Sequence, residues 1–324
     1  MDSSAIEIKN LNVGYNTETD FSLIIKNFNL SIKKGEIFGI AGESGSGKST
    51  LAQAIYRSVK YPGEIESGEV IFKDKDIMKM EANDLRKIRA TLFSFIPQAA
   101  MNALNPVRKI RYQFYDLLIA HGILPEKNND KISAVLKMVR LNESVLDNYP
   151  HELSGGMRQR TVIAMSILLN PEVVILDEPT TGLDVLVEHE ILKDLKNIQR
   201  KYGITMIFIT HDLAILYEIS DRIAMIYAGE IVEFGARDDM LENSTHPYNF
   251  LLLKNIPRIG VKMDNIIKLK GNPSNFKENF PGCQFYERCP FSKGECSEKH
   301  PDLRESSNEH YYRCIRFPEW KQNV

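Results

Sequence analysis

No cysteine precedes Cys283, and all four fall between Cys283 and Cys314. The chain also lacks an apolar run of the ~18–20 residues that a membrane-crossing helix requires; its longest, 162–169, is about half that. The start, Met1-Asp2-Ser3-Ser4, has neither the positive region nor the apolar stretch of an export signal, so none is expected. Charge of one sign is scarce too, with a net of −2 over 324 residues. No global basic field is therefore present to attract nucleic acid or anionic lipid. Internal repeats and low-complexity tracts are missing. Any membrane role must come through a partner, and a reducing compartment is expected. There a metal site suits the clustered thiols better than disulfides do.

Hydrophobic residues make up 43% and charged residues 26% of the chain, an ordinary globular composition. The length suits one sizeable core and a smaller second unit. Short β-like runs alternate with helical patterns. Strands are predicted at 5–9, 23–32, 36–41, 69–73, 92–96, 173–176, 205–210, 222–227 and 230–233. Helices are predicted at 48–59, 108–120, 154–169, 187–202 and 213–219. Apolar runs followed by helices point to an α/β fold with a largely parallel sheet. The stretch 99–160 carries no strand pattern and reads as a helical subdomain. Past Gly235 prolines, asparagines and the cysteines accumulate, which divides the chain at 1–235 and 236–324.

Gly42-Glu43-Ser44-Gly45-Ser46-Gly47-Lys48-Ser49 fits the P-loop pattern, after a predicted strand and opening a predicted helix. An accidental Gly/Ser-rich linker would lack that setting. Its glycines let backbone N–H groups turn inward on phosphate oxygens, and the helix N-terminus adds partial positive charge. Lys48 would bind the β/γ-phosphates and Ser49 would ligate Mg²⁺, with Thr50 beside it. Alone, the motif says only that a nucleoside triphosphate is bound.

Val173-Val174-Ile175-Leu176 is an apolar run that ends in Asp177-Glu178. Asp177 at the strand's C-terminal end would reach the Mg²⁺ shell. Glu178 points elsewhere and could polarise an attacking water. Solvated acids at a strand end are the plainer reading, which the preceding P-loop disfavours. Leu153-Ser154-Gly155-Gly156-Met157-Arg158-Gln159-Arg160 precedes a helical pattern. Ser154 is a good N-cap, and Gly155 and Gly156 expose amide donors, so this is a second anion site. A second cradle makes sense if it serves the nucleotide of a partner subunit.

That segment resembles the signature motif of ABC ATPases, and over 1–235 the chain is similar to that family, a P-loop NTPase fold with a helical subdomain. The resemblance implies roles for further residues. Gln98, in Phe95-Ile96-Pro97-Gln98, looks like the Q-loop glutamine, a contact to Mg²⁺ and water. Asp184, in Thr181-Gly182-Leu183-Asp184, looks like the D-loop aspartate. His211 resembles the switch histidine at the γ-phosphate, and Tyr15 the aromatic that stacks on adenine. Standing alone, Gln98 would read as a surface turn, His211 as a structural histidine and Tyr15 as a packing tyrosine. Met157 stands where the general pattern has Gln, as in one of two paralogous ATPases of peptide-type importers. Gly182 stands where Ala is usual, which loosens the loop.

Cys283, Cys289, Cys296 and Cys314 are separated by five, six and seventeen residues, unlike the short knuckles of structural zinc. Widely spaced thiolates can hold an iron–sulfur cluster. Zinc, free thiols and disulfides stay open on the residues alone. With His246-Pro247-Tyr248 ahead of it, the region resembles the C-terminal extension of oligopeptide/dipeptide importer ATPases. That resemblance implies a [4Fe–4S] cluster on the four cysteines. It also implies an ATP- and Mg²⁺-dependent ATPase at the cytoplasmic face of the membrane. Its partners would be a paralogous ATPase, two permease subunits and an extracytoplasmic solute-binding protein, with no nucleic acid. The segment 99–106 would face the permease. Peptides, nickel chelates and oligosaccharides are all conceivable cargo. A soluble ABC ATPase of translation or DNA maintenance is the rival from another class, but its usual marks (tandem domains, a long coiled coil, a basic surface) are missing. An exporter ATPase commonly carries fused membrane spans.

Overall fold

The computed structural model describes residues 4–256, 269, 271, 280–307 and 309–323. The predicted second region, 236–324, therefore contains positions 257–268, 270, 272–279, 308 and 324 that lie outside the described residues. Two compact units divide the chain: one comprises Met1–Ala5, Lys33–Glu36 and Lys79–Ile209, the other Ile6–Ile32, Ile37–Met78 and Thr210–Val324.

In the first unit the strand Val173–Asp177 is buried throughout and lies between two parallel neighbours, Phe93–Ile96 and Thr205–Thr210. Its run of branched apolar side chains suits a strand covered on both faces. Five helices accompany this ladder: Ala82–Ile88, Ile110–Ala120, Asn129–Met138, Gly155–Ile167 and Val185–Tyr202. The helical reading of 99–160 agrees with this, since no described strand falls there. Val185–Tyr202 buries Ile191, Leu192, Leu195 and Ile198 on one face, together with Asp194. That carboxylate meets Arg160 of Gly155–Ile167, whose side chain is 8% exposed.

The second unit holds two sheets. The strands Phe21–Lys33, Ser4–Asn16, Gly63–Phe72 and Lys75–Asp76 pair in that order, antiparallel where Gly63–Phe72 meets both Ser4–Asn16 and Lys75–Asp76. In the other, Ile37–Ala41 runs parallel to Arg222–Tyr227. Arg222–Tyr227 then pairs antiparallel with Glu230–Ala236, and the tail strands His310–Tyr312 and Arg304–Ser307 continue the sheet. The expected parallel pairing holds for Phe93–Ile96, Val173–Asp177 and Thr205–Thr210 and for Ile37–Ala41 with Arg222–Tyr227, while Glu230–Ala236, the tail strands and the N-terminal sheet depart from it. Helical crossovers give parallel neighbours, whereas the two-residue turn Ala228-Gly229 can only join antiparallel ones. Both N-terminal strands are also longer than the apolar runs within them. Their register continues through polar positions whose side chains face solvent.

Candidate functional site

The phosphate-loop segment is built by the second unit. Ile37–Ala41 is wholly buried, which fixes where residue 42 leaves the sheet. The helix Lys48–Ile55 starts directly after Gly47. Between them, Ser46 N–H donates to the Glu43 carbonyl (3.2 Å), and Gly229 N–H donates to the Ser46 carbonyl (3.1 Å). Lys48 is 6% exposed, and its Nζ donates to the carbonyls of Gly42 (2.7 Å) and Glu43 (2.9 Å). The same ammonium could donate to phosphate oxygens. Ser44 and Gly45 are exposed, while Ser49 and Thr50 are half-buried. Tyr15 Oη lies 3.2 Å from Thr50 Oγ1, so the candidate adenine platform and the helix that opens at Lys48 are tied together.

Glu43 is the residue of this loop that the motif alone did not mark. Its N–H donates to Tyr248 Oη (2.9 Å). Both its carboxylate oxygens accept from Arg288, Oε2 from Nη1 at 2.6 Å and Oε1 from Nη2 at 2.9 Å. Arg288 lies between Cys283 and Cys289. A charged residue locked between two cysteines is the only signal in the sequence that could have drawn attention to it.

Unit one carries the acidic strand end. Asp177 is 1% exposed. Glu178 follows it at φ 49, a conformation non-glycine residues seldom adopt and one that clusters at functional sites. Its N–H donates to the Ile209 carbonyl at 2.8 Å, which holds the turn onto the neighbouring strand. Gln98 Nε2 (3.2 Å) and Thr181 Oγ1 (3.1 Å) both donate to Glu178 Oε2. The structure thus joins Gln98, Glu178 and Thr181, the last quoted in the sequence only as part of the D-loop and given no role there.

Ser154 caps Gly155–Ile167, its hydroxyl accepting from Met157 N–H at 3.3 Å. Asp184 caps Val185–Tyr202 through Val187 N–H at 3.0 Å. The two helix starts meet closely: a Cβ on Gly156 would stand 2.6 Å from Val187 Cγ1. Ser154 and Asp184 are exposed, as a role toward a second chain requires. Gly182, expected only to loosen its loop, has φ 82 with open space around it. The turn uses a backbone state that alanine would adopt at a cost. His211 is exposed and directly follows the strand Thr205–Thr210.

The four cysteines line one cavity of about 20 Å³ with His246 and Phe285. Burial pushes the Cys283 and Cys289 thiols up to about 12 and Cys314 up to about 11. Neighbouring thiols contribute to the rise in all three, less than burial does. Burial also pushes His246 down to about 3, so its neutral Nδ1 accepts from Tyr248 N–H at 3.1 Å. Among the described residues no group of three or more His, Cys, Asp or Glu side chains is set as ligands of one ion. The donor set, four thiols on one cavity, nonetheless fits a thiophilic centre that would displace their protons.

The fold and the strand–loop–helix with its buried lysine define an ATP-binding-cassette ATPase. Residues 25–181 match the ABC transporter family, and 232–296 match the oligopeptide/dipeptide transporter C-terminal region. The chain belongs to the family of ATP-binding subunits of dipeptide and oligopeptide ABC transporters. It is 39% identical to the dipeptide transport ATP-binding protein DppD of Caldanaerobacter subterraneus, over 90% of each chain. To the oligopeptide transport ATP-binding protein OppD of Escherichia coli it is 36% identical, over 96% of this chain and 93% of that one. Among solved structures it resembles the ATP-binding cassette MJ0796, captured as a post-hydrolysis dimer with ADP and Pi. The TM-score there is 0.64 at 29% identity, over 72% of this chain and 98% of the other. Among the described residues no helix is long and apolar enough to cross a membrane.

Proposed function

We propose that the chain energises import of peptides, or of a related solute, from the cytoplasmic face of the membrane. It would do so as one ATPase of a heterodimer docked on two permease subunits fed by a solute-binding protein. The observation that carries this is likeness to dipeptide and oligopeptide transport proteins along nearly the whole chain, the C-terminal extension included. In this reading residues 42–50 bind the phosphates, Lys48 supplies the cation and Tyr15 stacks on the adenine. Ser49, Gln98 and Asp177 are hard oxygen donors that suit Mg²⁺, which when bound neutralises charge on the phosphates. Glu178 takes the proton of the attacking water. Ser154, Gly155 and Gly156 close over the partner's nucleotide, while Asp184 and His211 report its state. Closure does work because ATP binds the closed dimer better than the open one.

For the extension we favour a [4Fe–4S] cluster on Cys283, Cys289, Cys296 and Cys314. The support is the convergence of four thiols, Cys296 and Cys314 of them buried, on one cavity, and a bound cluster would cross-link a segment whose own core is as small as Tyr312, Cys314 and Trp320. The deciding experiment for function is purification with the cognate permease, followed by ATPase assays with a panel of cargo-loaded binding proteins. Stimulation by a peptide-loaded binding protein supports the proposal. A turnover rate indifferent to every member of the panel defeats it.

A further inference from the structure

We propose that Arg288 is a positioning residue for the phosphate-binding loop, through which the cysteine-bearing extension sets the affinity for ATP. The inference rests on assigning 42–50 to the phosphates. Glu43 places a carboxylate within the loop that must receive a polyanion, and a bare carboxylate there would repel it. Arg288 answers that charge with both arms of its guanidinium, at 2.6 and 2.9 Å. Its side chain is only 7% exposed, so water screens the pair weakly. The planar fork dictates the carboxylate's orientation as well as its charge, which a lysine cannot reproduce.

The guanidinium is itself held. It lies over the rings of Tyr227 (5.6 Å) and Phe285 (5.9 Å), and Nη1 donates to Tyr227 Oη at 3.4 Å. Phe285 is 1% exposed, and its carbonyl accepts from Arg288 N–H (3.1 Å) and Cys289 N–H (3.0 Å). The turn that carries Arg288 is therefore fixed at the cysteine cavity. Tyr248, which receives Glu43 N–H, packs edge-on against Phe285 at 5.3 Å. On the loop side, Glu43 also offers its carbonyl to Lys48 Nζ and to Ser46 N–H. One residue thus connects the extension to the backbone that must cradle the phosphates. Stapling the extension to the unit would need no contact with this loop at all.

The test measures KM for ATP, kcat and the Kd of a fluorescent ATP analogue on full-length protein. Arg288→Gln is expected to raise KM and Kd about tenfold, the scale of one lost charge-assisted hydrogen bond, with kcat within about twofold. Adding Glu43→Gln to Arg288→Gln removes the stranded carboxylate and should recover most of the affinity. A purely structural role for Arg288 would not be relieved that way. Arg288→Lys, the milder change, should raise KM severalfold and covers the case in which Arg288→Gln does not fold. Unchanged affinity in Arg288→Gln or Arg288→Lys, or a double variant no better than Arg288→Gln, overturns the proposal. Lys48→Ala tests the loop assignment separately: retained ATP binding there would refute the assignment itself, whatever the Arg288 variants show.

Discussion

Gln98 Nε2 donates to Glu178 Oε2 at 3.2 Å, and Thr181 donates to the same oxygen at 3.1 Å. The carboxylate is aimed by two side chains while its backbone sits at φ 49, a strained arrangement that makes sense if one oxygen must be held in place for a water. Glu178→Gln keeps the shape and removes the proton acceptor. Turnover should fall by about 10²–10⁴-fold, with ATP affinity within about twofold of the parent. Single-turnover hydrolysis and nucleotide binding read both. Hydrolysis at the parental rate would remove Glu178 from the role of base.

Much of this site can be read from sequence because its signals are local. The apolar run at 173–176, the glycines at 42–47 and the capping serine at 154 each act on their neighbours in the chain. The strands Thr205–Thr210 and Arg222–Tyr227 have the bounds their apolar runs predict. Contacts that cross long stretches are another matter. Arg288 and Glu43 are 245 positions apart, and no periodicity links them. The tail strands Arg304–Ser307 and His310–Tyr312 were missed because the first is exposed throughout and the second spans three residues. Their pairing is set by the edge of Glu230–Ala236, not by their own pattern. Asn129–Met138 escaped as well, since only Ile132, Val135 and Leu136 are buried on it.

Arg160 and Asp194 form an ion pair between Gly155–Ile167 and Val185–Tyr202, with side chains 8% and 6% exposed. Arg160 also donates to the Val139 carbonyl at 2.8 Å. Asp194→Asn would remove the buried partner of Arg160 and leave it the more exposed Glu190 at 3.0 Å, so a cost of about 2–3 kcal/mol is expected. Arg140, the more exposed partner of Asp194 at 49%, should cost under about 1 kcal/mol as Ala. Denaturant unfolding compares the two. Equal losses would mean that burial does not govern this network.

The cysteine site can be tested by its contents. Protein purified without oxygen should be brown with about four irons per chain. Removing the metal should lower the melting temperature, because metal binding and folding of a short segment are coupled. Iron analysis, visible absorption and calorimetry on the same sample give the answer. Colourless protein holding one zinc would refute the cluster, while metal-free protein with four titratable thiols would refute both metals.

Glu233 is fully buried and anchors the tail. Its Oε1 accepts from Thr245 N–H at 2.8 Å and pairs with His310 Nε2 at 2.9 Å. Its Oε2 accepts from His246 N–H at 2.8 Å and Ser244 Oγ at 3.1 Å. Each oxygen thus faces a backbone donor, so in Glu233→Gln the new NH₂ must confront an N–H whichever way the amide is turned. No flip relieves it. A loss of about 2–4 kcal/mol follows from the unmet donors. Because His310 belongs to a tail strand on Glu230–Ala236, the same change should hasten proteolytic release of the tail. His310→Gln disturbs only one of the two oxygens, so its loss should be the smaller. Calorimetry and timed proteolysis rank the two variants, and a Glu233→Gln protein that melts with the parent would show that this carboxylate is not what holds the tail in place.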